Sequence, residues 1–289
     1  MVLAFLFSGC KCDGPRLERE REFTIDLEED SYTDLLRVKQ IFYSLPSPVE
    51  SAMLLKSSGA VYNEELLNPV ENASTYMTNK SMALNLGIYS TNLSYASLFD
   101  QAQTCLDYMD AAKRLADNLG IIDAIDNYTI ERLEQNINNR EILMDIVSET
   151  FMNSSSFLQE SNREPVAAMM LVGGWVEGLY IALSQIEEDD LENNRLMKMV
   201  IDSRLSLEIV MMLLEDNSFN RDVADLISEM REIENIFDKI EVKTSEIVVD
   251  RSGDESVTVL RSRSDATIDR ELFLQLKSAV MDLRSSFVS

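Results

Sequence analysis

Glu177 is the sharpest chemical feature of the sequence, because it is the single charge in residues 166–186, an otherwise apolar run. A carboxyl inside such a run must be paired or protonated, and carboxyls perturbed in this way occur both at functional sites and in structural ion pairs. A second concentration of reactive and hydrogen-bonding groups lies in residues 76–100, which mix amide, hydroxyl and phenol groups without a clean apolar stripe. Tyr and Asn combine flat apolar area with hydrogen bonding. The candidate ligand contacts are therefore Asn79, Lys80, Asn85, Tyr89, Asn92, Tyr95 and Asp100, together with Glu177. The competing reading is a helix whose amides and phenols bind neighbouring protein groups, since buried polar atoms are normally paired within a protein. On either reading these side chains are not simply solvated.

Much other chemistry is excluded by composition. The chain has no histidine, which removes the commonest general base and metal ligand and every Ser-His-Asp, Cys-His or His-Glu-x-x-His arrangement. A hydrolase built here would need a carboxylate or Lys80 as its base. The 15 methionines include Met169-Met170, Met197 with Met199, and Met211-Met212, which could serve Cu(I), but each group sits in an apolar helical pattern where Met fills gaps. Residues 250–255 place Gly253 fourth and a Glu sixth, which breaks a calcium-loop pattern. We assign no catalytic residue, no metal and no cofactor. A formal charge of −25 repels nucleic acid, which is not an expected partner.

The first ten residues, MVLAFLFSGC, form an apolar run that ends in small residues before Cys10. This is similar to the lipobox of bacterial lipoproteins, and the resemblance implies cleavage after Gly9 and lipid on Cys10. The expected organisation is a signal remnant at 1–9, a lipidated cysteine and polar tether at 10–26, and a helical domain at 27–241. A β-hairpin at 242–263 and a C-terminal helix at 264–289 complete it. Cys105 lies on an apolar helical stripe and reads as a small buried hydrophobe, although pairing with Cys12 is open.

These groups need a scaffold, and the pattern predicts an all-α fold, an antiparallel bundle of long helices with one small β-hairpin. Residues 166–186 are apolar on every side and describe a central helix about 32 Å long. Gly173, Gly174 and Gly178 within it predict close approach of a neighbouring helix. Other helices are expected at 27–43, 47–58, 72–119, 129–159, 191–215, 223–240 and 268–287. Long apolar seams at 130–158 and 223–240 could be satisfied within one bundle or by a second copy of the chain.

The motifs LPSPVE, LLNPVEN, NKSMALNLGIYSTNLSYA and SLFDQ within residues 45–103 resemble a family of uncharacterised helical lipoproteins of bacterial envelopes. The resemblance implies a lipid-anchored protein of the cell envelope, on the outer membrane, and supplies no substrate. The expected function is a binding or scaffold module, held at the membrane through Cys10, whose partner is an envelope protein or small ligand. The alternative is a small-molecule binder or weak hydrolase with a pocket around Tyr89, Asn92, Tyr95 and Glu177.

Overall fold

The computed structural model describes residues 46–122, 125, 127–191, 194–244, 248–250, 259–261 and 264–289. These residues are predominantly helical, with ten α-helices among them. They are α1 (Pro48–Ser57), α2 (Asn79–Leu98), α3 (Ala102–Asn118), α4 (Asn127–Gln135) and α5 (Arg140–Glu160). After these come α6 (Glu164–Ser184), α7 (Arg195–Asp202), α8 (Arg204–Asp216), α9 (Arg221–Phe237) and α10 (Arg270–Val288). The expected signal remnant, Cys10, the tether and the helix at 27–43 lie outside the described residues.

The central helix is α6. It is long and apolar enough to cross a bilayer, yet nearly all of it is buried inside the protein, and from Pro165 to Leu183 only Tyr180 is not buried. Its glycines explain why. A Cβ on Gly173 would stand 1.9 Å from the Leu84 carbonyl oxygen, and one on Gly87 would stand 1.9 Å from that of Met170. Helices α2 and α6 therefore touch backbone to backbone, which no other residue type permits, and the contact offsets the helix-interior cost of glycine. The contacts climb both helices together, from Leu84 beside Gly173 to Tyr95 bonded to Gln185, so this central pair runs parallel rather than antiparallel.

Several expected helices are interrupted by local chemistry. Residues 129–159 form α4 and α5, not one helix, because Asn136 turns back on Arg132 and Asn139 caps the next helix by accepting from the Ile142 amide. Residues 191–215 are broken at Ser203, and the acidic run 187–190 does not open a helix, since Asn194 is the N-cap of α7. Asp100, at φ +60°, separates α2 from α3. The opening of α1 follows expectation, with a capping box between Ser47 and Glu50 and Pro48 at its first position. Helix α9 buries Val223, Leu226, Met230, Ile233 and Phe237 on its spaced apolar face.

The all-α class is what the described residues carry, and they do not establish the expected β-hairpin. Its loop at 251–258 lies outside them. Backbone pairing is described only between 241–244 and 264–267, and between 248–250 and 259–261.

Candidate functional site

Two sites deserve description, one closed and one open. The closed site begins with the chain between α1 and α2. Residues 60–78 hold only two short 3-10 turns, so many of their backbone groups need side-chain partners where they are buried. Helix α2 supplies them. The Tyr89 hydroxyl donates to the Pro69 carbonyl at 2.9 Å, and the Tyr95 hydroxyl donates to Val61 while accepting from the Asn63 amide at 3.1 Å. From α3, Tyr108 donates to the Asn68 carbonyl at 2.8 Å.

Asn68 is the hub of this interior. Its side-chain amide donates to the Tyr76 hydroxyl at 2.9 Å and to Asn85 Oδ1 at 3.0 Å, and it accepts from Asn72 at 2.9 Å. Asn85 in turn donates to the Phe287 carbonyl at 2.7 Å, which ties α2 to α10. In the amide orientation that suits both neighbours, Asn92 donates to Glu177 Oε1 at 2.8 Å and accepts from the Asn68 backbone at 3.1 Å. Glu177 is wholly buried and receives a two-pronged contact from Arg284, at 3.0 Å from Nε and 3.3 Å from Nη2. The guanidinium also lies 4.5 Å from the Tyr180 ring centre, so α10 is clamped to α6 through one charge pair and one aromatic face.

The electrostatics follow from burial. Desolvation pushes Glu177 above the ordinary carboxylate range, against the opposing pull of Arg284 and Asn92. Burial likewise raises Tyr89 and Tyr108 above the ordinary phenol value, and it pushes the Cys105 thiol up to about 12. These phenols stay protonated donors, and Cys105 is a buried, unreactive thiol.

The structure thus brings Asn85, Asn92 and Glu177 into one network through Asn68, and sends Tyr89 and Tyr95 to backbone groups beside it. The other candidates lie apart. Asn79 is exposed in the first turn of α2, and Lys80 pairs with Glu229 at 2.9 Å. Asp100 sits at the far end of the helix, 3.8 Å from Arg140. It borders a cavity of about 60 Å³ with Ser97, whose hydroxyl is buried without a protein partner, and with Cys105.

The sequence reading missed Asn68 and Arg284. Arg284 was detectable in principle, since it follows Leu283 on the apolar side of α10 and a charge there needs an opposite charge, for which Glu177 was the obvious choice.

The open site is a groove of about 880 Å³ bounded by α1 on one side and α7 and α8 on the other, with α6 as its floor. Trp175 and Leu179 line the floor, and the indole N–H is fixed by Ser206 Oγ at 2.9 Å. The walls carry Met53, Leu54 and Leu205, which are 55%, 47% and 69% exposed. Side chains of this size left in water on both sides of one groove form an apolar surface without an intramolecular partner among the described residues. Arg195 and Lys198 stand on the α7 wall with no salt bridge among the described residues, and Glu50 and Asp202 are the acidic members of the lining.

No family model, curated protein or solved structure matches the chain. The likeness to helical envelope lipoproteins gains nothing from these comparisons.

Proposed function

We propose that the chain is a binding module of the bacterial cell envelope, held at the membrane by lipid on Cys10, and that it engages its ligand through the groove over Trp175. One observation carries the choice of site. Met53, Leu54 and Leu205 are exposed together above an aromatic floor, in a cleft whose volume lies in the usual range for ligand sites. The polar groups of α2 and α6 are the weaker candidate, because Asn85, Tyr89, Asn92, Tyr95 and Glu177 are already hydrogen-bonded to protein. Lipidation rests on the lipobox-like residues before Cys10. The same proposal keeps 242–263 as a β-hairpin, on the strength of β-branched runs flanking Arg251, Ser252, Gly253 and Asp254.

The test uses a neutral apolar fluorophore, N-phenyl-1-naphthylamine, and the doubly substituted Leu54→Asp, Leu205→Asp chain. The parent is expected to enhance the probe's emission saturably, and the variant to lose that response while keeping its helical circular dichroism. Equal responses from the two proteins would remove the groove from consideration. Incorporation of labelled palmitate that disappears in Cys10→Ala is the expected result for the anchor.

A further inference from the structure

Resting on the groove reading, we infer that its ligand is a single-chain amphiphile with an anionic oxyacid head, a carboxylate or phosphate, seated at Arg195 and Lys198. The chain is strongly acidic, at −25, and Lys80, Arg132, Arg140, Arg204, Arg231, Arg270 and Arg284 are each paired with a carboxylate. Arg195 and Lys198 are exposed on one face of α7 and line the groove, with no carboxylate paired to them among the described residues. The lining also holds Glu50 and Asp202, neither of which forms a salt bridge with them among the described residues. Glu50 accepts the Ser47 amide at 2.7 Å and is held at its own helix end. Asp202 closes the C-terminal end of α7, about 10 Å from Arg195 and about 6 Å, one turn, from Lys198 along the helix.

The rest of the lining is mainly apolar. Met199 lies next to Lys198 on the same wall, and Leu54, Leu179 and Trp175 line the same groove, which also holds Ser51, Ser57 and Ser206. A guanidinium and an ammonium beside an apolar trough match a head and a tail in one molecule. Aligned thioether and aliphatic walls tolerate a flexible chain, which has no polar atom to satisfy along its length.

The chain has one tryptophan, and it lines this floor, so its emission reports directly on occupancy. The probes are 9,10-dibromostearic acid, whose bromines quench indole at short range, and its neutral methyl ester, each titrated into the full-length protein. The expected result is saturable quenching by the acid, weakened about tenfold in the Arg195→Gln, Lys198→Gln variant, the size of two partly exposed charge contacts. The ester is expected to bind more weakly than the acid and equally to parent and variant. Dodecyl phosphate should displace the acid, whereas inorganic phosphate should not, which separates an amphiphile from a free anion.

Ester quenching as strong as that of the acid, with no effect of the double substitution, would overturn the head-group assignment and leave the groove reading intact. No quenching by either probe, in protein with an unchanged melting point, would overturn both. A second polypeptide that protects Trp175 from both probes would also overturn the amphiphile.

Discussion

The closed network under α2 and the open groove beside α1 are built on the same central helix and differ in what remains unmet. Around Glu177 nearly every polar atom has found a partner within the chain, including a carboxylate that takes two contacts from Arg284 and one from Asn92. Around Trp175, two residues away and on the opposite face of α6, large apolar side chains and two cations have none among the described residues. A residue type that promises chemistry is therefore a poor guide by itself. Tyr, Asn and Glu in the interior hold the fold, and the surface that asks for a ligand is made of Met, Leu and Trp.

This contrast can be broken from the closed side first. Gly173→Ala places a methyl group against the Leu84 backbone, which cannot swing aside, and is expected to cost at least about 4 kcal/mol in urea unfolding or to prevent folding. Gly178→Ala is the control, since its Cβ would meet only the Ser51 side chain at 3.4 Å, and it should be nearly neutral. Arg284→Met leaves the wholly buried Glu177 carboxyl without its cationic partner and should cost about 2–4 kcal/mol.

The Glu177 carboxyl also sharpens the comparison through pH. Because burial raises Glu177, the folded state keeps its proton to higher pH than the unfolded chain does. The group's contribution to stability is complete below about 4.5 and declines as pH rises through the raised folded value. Melting temperatures from pH 4 upward should show that decline in the parent and lack it in Glu177→Gln. The smallest effect belongs to the groove. Leu54→Asp should alter stability by no more than about 0.5 kcal/mol while abolishing capture of apolar probes, and a large loss of stability would mean that Leu54 is a core residue.

Periodic sequence revealed the elements that are amphipathic in the ordinary way, such as α9, and the uniformly apolar α6. It failed where a few polar residues overrode the period. The heptad pattern from Ile130 to Leu158 continues through Asn136 and Asn139, but their side chains bond the backbone and end one helix to begin another. The candidate site was visible as a composition, and its wiring was not. Glu177 announced a need for a partner, yet Arg284 lies 107 residues away and only packing brings them together. The groove was hidden for a similar reason. Met53, Leu54 and Leu55 are consecutive and equally apolar, and which of them is buried depends on where α2 and α6 lie, with only Leu55 covered.

The bond from Asn85 to the Phe287 carbonyl has a consequence for how the chain is made. Its two ends are 202 residues apart, so a ribosome working at about 5–20 residues per second delivers the acceptor about 10–40 s after the donor. Through that interval α2, with its amides and phenols committed to an interior that does not yet exist, has no closed structure to enter. A protein wired in this way folds late and as one body, and nascent chains bearing α2 alone should be clients of the chaperones that shield unfinished helices.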